Sequence, residues 1–246
     1  MAHEKAEAIT IRLTDFSETS QVAWFYTREC GRLSCLAKGA KRDRNNFEGR
    51  LDLLCHNQIV FARKKHSTLH ILTECKLRDR FMGLRADVGR LYAALYAAEL
   101  VREMTPEEEG QPEVFDLLLG TLRALSDDEQ PDQVLLILEV RLLALAGFAP
   151  SLDVCAACGS AAQQEKSVRF SAALGGVVCS KCRGQDPKSV GVPSAALGVL
   201  GRLANGAVTP AATLTLPDRM LAVLRKLMKA TYCHHLGHEP KLMRYV

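Results

Sequence analysis

No run of apolar residues in this chain approaches the roughly 20 that a membrane-spanning helix requires. The opening MAHEKAEAIT also lacks the apolar stretch of a secretory signal. These two absences predict a cytoplasmic protein with no membrane partner, in a compartment where thiols stay reduced. There is no nucleophile elbow, no phosphate-cradling glycine-rich loop and no histidine-rich hydrolytic motif. Gly31, Gly39 and Gly49 are too scattered for a nucleotide fingerprint. The sequence thus offers no catalytic constellation and points away from an enzyme. It also has no internal repeat and no low-complexity tract. Aromatic residues make up 6%, with a single tryptophan.

What is present is a composition ordinary for a globular protein, 48% hydrophobic and 24% charged. The 246 residues read as two domains with a small inserted module. Charge is unevenly spread. Residues 1–80 carry 15 Lys+Arg against 10 Asp+Glu, residues 81–150 carry 5 against 13, and residues 151–246 carry 12 against 5. Two basic segments flank an acidic one, a pattern suited to holding an anion with the ends and something else with the middle.

The first 80 residues read as β structure. Ile9, Ile11 and Leu13 alternate with Thr10, Arg12 and Thr14, the period of a half-buried strand. Val22–Thr27 is rich in strand formers, Gly31 sits in a turn, and Leu33–Ala37 returns as partner. Further strands are expected near Leu51–Leu54, Gln58–Phe61 and Leu69–Cys75. Five or six short strands with polar turns suggest a small closed barrel, with the nucleic-acid-binding barrel as the attractive member of that class. From Phe81 the period changes to three and four, predicting helices over 81–104, 112–125, 132–146, 194–205 and 217–236. The expected organisation is an α+β multidomain chain: a barrel over 1–80, a helical domain over 81–150 and 191–246, and a module inserted at 151–190.

That module holds the strongest chemical signal. Cys155-Ala-Ala-Cys158 is followed, twenty residues on, by Cys179-Ser-Lys-Cys182. Two close pairs at that separation can set four thiolates at the corners of a tetrahedron around one structural zinc ion. A closed four-sulfur site leaves no open position for chemistry, so its role is to pin an excursion too small to fold alone. A redox role for either pair fits less well, because Cys158 runs into Gly159-Ser160 rather than into a helix start. Cys30, Cys35, Cys55, Cys75 and Cys233 read as small buried hydrophobes. Cys233-His234-His235 with His238 reads as a polar helix end.

A second constellation is basic. Lys38, Lys41, Arg42 and Arg44 lie in one loop of the expected barrel, and Arg63, Lys64 and Lys65 in another. Such clusters suit phosphate contacts, which supply most sequence-independent affinity for nucleic acid; they also suit a plain solvated surface. Trp24, Phe25, Tyr26, Phe47 and Phe61 are the candidates for a stacking platform or for barrel core. RNA binding through the same loops, or a chaperone that loses zinc on oxidation, are the other classes these features allow.

The stretches TRECGRLSCLAKGAKR, FEGRLDLL, GFAPSLDVC and YCHHLGHEPKLMRY, in this order, resemble the RecO recombination mediators of bacterial DNA repair. The most specific parts are Lys38-Gly39-Ala40-Lys41-Arg42 and Gly147-Phe148-Ala149-Pro150. Near the end, Leu236–Lys241 carries a histidine and a glutamate where that family is usually more basic. The resemblance implies an N-terminal oligonucleotide-binding barrel, a helical domain and a zinc module. It also implies a non-enzymatic protein, associated with the nucleoid, that binds single- and double-stranded DNA and anneals complementary strands. The partners it implies are RecR, the single-strand DNA-binding protein with its acidic tail and, indirectly, RecA.

Overall fold

The computed structural model describes residues 3–42, 47, 51–127, 130–161, 167–206 and 215–246. The chain packs as two compact units, Met1–Asp128 and Glu129–Val246. Among the described residues, no helix is long and apolar enough to cross a membrane.

The first unit is built on strands β1 (His3–Asp15), β2 (Gln21–Thr27), β3 (Gly31–Ala37), β4 (His56–Ala62) and β5 (Leu69–Asp79). They close in the order β1-β2-β3-β5-β4. All neighbours are antiparallel except β3 and β5, which run parallel with Ser34 beside Leu69. This is the oligonucleotide-binding type of barrel, in which closure removes exposed strand edges. Alternation decides the core: Ala23 and Phe25 of β2 point inward with Leu33 and Cys35 of β3, Ile59 and Phe61 of β4, and Leu72 and Cys75 of β5. β1 starts six residues earlier than its apolar alternation implies, because the small Ala6 and Ala8 also face inward and pair with β4.

Leu51–Leu54 is not a strand. Leu54 adopts a left-handed backbone (φ 61°), and its amide donates to the Thr10 carbonyl at 2.8 Å while the Thr10 amide donates to the Cys55 carbonyl at 3.0 Å. The segment instead packs against the bulge of β1 between Thr10 and Arg12.

The helix expected over 81–104 is divided. Phe81 is left-handed (φ 48°), a 3-10 turn covers Met82–Arg85, and α1 spans Val88–Met104. Asp87 sets the start of α1 by accepting from the Arg90 amide at 2.9 Å. α2 (Pro112–Ser126) packs on α1 and opens on a proline, whose missing amide suits a first helical turn. Both helices belong with the barrel, although their periodicity joins them to the later helices. Arg28 forms an ion pair with Asp116 of α2, the His56 ring meets Phe115 edge-on, and Arg32 donates to the Arg102 carbonyl at 2.6 Å.

The joining segment between α1 and α2 lies against the β2–β3 turn. A Cβ on Gly31 would fall 2.0 Å from the Glu109 carbonyl oxygen, and one on Gly110 would fall 2.2 Å from that of Glu29. Only glycine permits this approach.

In the second unit, α3 (Pro131–Leu145) is buried along most of its length, as its six leucines spread around the helix predict. A three-stranded antiparallel sheet follows, β6 (Ser167–Ser171), β7 (Gly176–Val178) and β8 (Val190–Pro193), ordered β7-β6-β8. β8 runs directly into α4 (Ser194–Ala204). α4 and α5 (Asp218–Leu236) both pack on α3. The buried Glu139 of α3 receives Arg225 at 2.6 Å, and the Tyr232 hydroxyl donates to its carbonyl at 2.9 Å.

Candidate nucleic-acid interface and metal centre

The loop leaving β3 is built as a braced cationic turn. Gly39 takes φ 69°, a conformation few other residues accept, and the Arg42 amide closes the turn on its carbonyl at 3.0 Å. Two bonds tie the turn to the β1–β2 connection: Gly39 N–H to Ser20 Oγ (3.2 Å) and Lys41 N–H to the Thr19 carbonyl (3.0 Å). The Lys41 ammonium lies 2.6 Å from Asp15. That ammonium, with the Gln21 amide at 3.2 Å, holds the Asp15 carboxyl below the usual carboxylate range. Lys38, Lys41 and Arg42 are all exposed. Arg44 falls outside the described residues.

The second basic loop is arranged differently. Arg63 is half-buried and grips Glu4 through Nε (2.7 Å) and one terminal nitrogen (3.0 Å), while its other terminal nitrogen reaches Glu108 at 2.6 Å. Its bond to Arg63 lowers the Glu4 carboxyl. The buried His70 completes the cluster, with Nε2 at 3.2 Å from Glu108 and Nδ1 accepting from the Lys64 amide at 3.3 Å. Arg63 therefore anchors the loop, and Lys65 stands exposed at its tip.

The two clusters lie at opposite ends of the barrel. β3 and β5 are parallel, so the loop after Ala37 leaves one end while the loop before Leu69 enters at the other. Among the described residues they are not one continuous surface. Sequence spacing alone suggests otherwise, because it carries no information on strand direction.

The aromatic candidates separate cleanly. Phe25, Tyr26, Phe47 and Phe61 are buried. Trp24 is partly exposed on the outer face of β2, with the Arg12 guanidinium 4.8 Å from its ring centroid.

The four cysteines of the second unit converge. The sulfurs of Cys155, Cys158, Cys179 and Cys182 all lie within 4.8 Å of one another, and those of Cys158 and Cys179 are 3.8 Å apart. Thiolates bound tetrahedrally to one ion at about 2.3 Å sit about 3.8 Å apart, so the quartet could hold a metal ion. The local backbone arranges this. Gly159 (φ 73°) closes a turn on the Cys155 carbonyl (2.8 Å), and the Cys182 amide closes another on the Cys179 carbonyl (3.0 Å). The Cys179 amide points at the Cys155 sulfur (3.4 Å). Burial opposes ionisation of Cys155, but amides of Cys179, Cys158 and Ala157 outweigh it and bring the thiol down to about 6. The Ser160 hydroxyl lowers Cys158 in the same way. Cys182 goes the other way, pushed up to about 12 chiefly by its hydrogen bond with Cys158, so the thiolate form that binds metal is favoured at Cys155 and Cys158.

All nine cysteines are free. Cys35, Cys55 and Cys75 are buried as expected, and burial pushes the Cys35 thiol up to about 12. At the end of α5 the His235 ring lies 4.6 Å from that of Phe148.

A closed five-stranded barrel with cationic end loops, followed by a helical unit carrying a four-cysteine cluster, defines an oligonucleotide-binding-barrel protein with a metal-type knuckle. Comparison with known proteins makes the class specific. Residues 1–81 match the family described as "Recombination protein O N terminal", and residues 85–244 match "Recombination protein O C terminal". A protein of Rhodopirellula baltica named "DNA repair protein RecO" is 36% identical over 84% of this chain and 77% of its own length. Proteins of the same name from Desulforudis audaxviator (32%, over 100% and 97%) and Myxococcus xanthus (34%, over 98% and 95%) are similar along essentially the whole chain. The chain belongs to the RecO family.

Proposed function

We propose that this chain is a non-enzymatic recombination mediator of DNA repair that binds single- and double-stranded DNA and anneals complementary strands. The observation that carries the reading is the braced cationic turn, Lys38, Lys41 and Arg42, at the end of an oligonucleotide-binding-type barrel in a chain of this family. Arg44 continues the same loop in sequence. Lys64 and Lys65, on the loop that Arg63 anchors, supply a second cationic point at the opposite end. Phosphates held at these points bring strands together by lowering their mutual repulsion, and base pairing supplies the specificity. No bond is broken in that task, which accords with a sequence that offers no nucleophile or general base.

The four-cysteine cluster takes one zinc ion in this reading, as a staple of the second unit. The names of the relatives support a role in DNA repair. RecR, the single-strand DNA-binding protein and, indirectly, RecA are the partners we assign, in the cytoplasm at the nucleoid. The deciding experiment is strand annealing with complementary oligonucleotides precoated by the single-strand DNA-binding protein. Acceleration by the chain supports the reading. An unchanged rate, or a preference for RNA over DNA of equal length, sinks it.

A further inference from the structure

Trp24 is the only tryptophan of the chain and stands partly exposed on the outer face of the barrel. The strand register explains its surroundings. Across β1-β2-β3, Arg12, Trp24 and Ser34 lie side by side. On one side the exposed Arg12 stacks its guanidinium 4.8 Å from the ring centroid. On the other side Ser34 is too small to cover the ring, and it donates instead to the Thr68 carbonyl at 2.7 Å. The hollow on that side, lined by Trp24, Ser34, Thr68 and the segment Glu107-Glu108, holds only about 10 Å³, too little for a base, so a base can meet the partly exposed indole only from the solvent side.

The charges around this hollow sort a ligand into parts. Glu107 is paired with Arg32 at 3.4 Å and Glu108 with Arg63 at 2.6 Å. That carboxylate-bearing wall disfavours a phosphate on its side of the ring. Arg12 has no carboxylate partner among the described residues, so its donors remain available to an anion on the opposite side. Trp24 lies three residues from Gln21, about 10 Å along the strand, and at that end of β2 stands the Lys38–Arg42 turn.

We propose that Trp24 and Arg12 form a base-stacking subsite for an unpaired nucleotide of single-stranded DNA, the base on the indole and its phosphate on the guanidinium. The proposal rests on the DNA-binding reading above and adds to it a residue that senses whether a base is unpaired. A base inside a duplex cannot reach the indole, so the subsite separates single from double strands while the cationic turn serves both. Stacking tolerates any sequence, because every base has a π-face.

The test uses the full-length protein and its own emission. A fluorescein-labelled oligo(dT), an abasic strand of equal length and a duplex are titrated in, with binding followed by fluorescein anisotropy and stacking by Trp24 emission. Quenching that saturates together with oligo(dT) binding, and is largely absent when the abasic strand or the duplex binds, supports the subsite. Binding of oligo(dT) with unchanged emission overturns the subsite and leaves the DNA-binding reading standing. Equal quenching by the abasic strand also overturns it. No anisotropy change with any ligand removes both. Trp24→Ala should weaken oligo(dT) binding about five- to hundred-fold, with duplex affinity within about two-fold, and Trp24→Phe should recover most of the loss. Equal weakening toward the two DNAs would refute the stack.

Discussion

Lys41 and Asp15 form an ion pair of 2.6 Å that ties the cationic turn after β3 to the end of β1. Both side chains are partly exposed to solvent, so the pair positions the loop more than it stabilises the fold. Asp15 also competes with any phosphate for Lys41. Asp15→Asn should therefore strengthen DNA binding, by up to about five-fold at low salt. Joint reversal at Lys41 and Arg42 should weaken binding to all sequences alike. The slope of log affinity against log salt should fall by about 0.7 for each single-strand phosphate that the variant no longer neutralises. Anisotropy titrations over a salt series measure both effects. An unchanged slope would place the DNA elsewhere.

The cysteine cluster should bind one zinc ion per chain, measurable by elemental analysis. Cys155→Ser should abolish that stoichiometry and lower the melting temperature, since binding free energy at such a site is largely folding free energy. DNA affinity should change little in the protein that survives purification, because the cationic turn lies in the other compact unit. A metal-free variant of wild-type stability would remove the structural role.

Gly110→Ala should destabilise the first unit through its close approach to the Glu29 carbonyl. The added carbon has no room within 2.2 Å of a backbone oxygen, so the segment between the helices must shift. A loss of about 2–4 kcal/mol is expected, read as roughly 2–4 °C of melting temperature per kcal/mol. Gly191→Ala is the control, since its added carbon would meet nothing within 4 Å. It should be nearly neutral.

His56 gives the barrel a pH dependence. It is buried, its Nε2 lies 2.8 Å from Glu7, and burial pulls its pKa below the ordinary imidazole value despite that carboxylate. Between the lowered value and about 6.5 the unfolded chain binds more protons than the folded one. The contribution of His56 is thus complete above that window and is lost as pH falls through it. His56→Gln should flatten the dependence of denaturation midpoint on pH there. A slope unchanged by the substitution would assign it to other groups.

Most of the architecture was legible in the chain itself. Two-residue alternation marked β1, strand-forming runs marked the other four barrel strands, and the change of period after residue 80 marked the helices. The cysteine spacing announced a cluster that the backbone does assemble. The failures share a cause. Leu51–Leu54 has strand-like composition, but its backbone groups pair irregularly with the bulge of β1. The helix expected over 81–104 has one period throughout, yet the left-handed backbone of Phe81 and the Asp87 cap delay α1 to Val88.

By itself, then, the sequence determined the local elements, which face of each strand turns inward, and the presence of four converging thiols. These depend on residues close together along the chain or on simple periodicity. Only the tertiary structure decided that the two basic loops stand at opposite ends of the barrel and that Trp24 alone of the named aromatics reaches the surface. Those outcomes depend on the parallel pairing of β3 with β5 and on what covers each outer face. Long-range strand pairing and coverage are set by closure of the whole barrel, which no local pattern encodes.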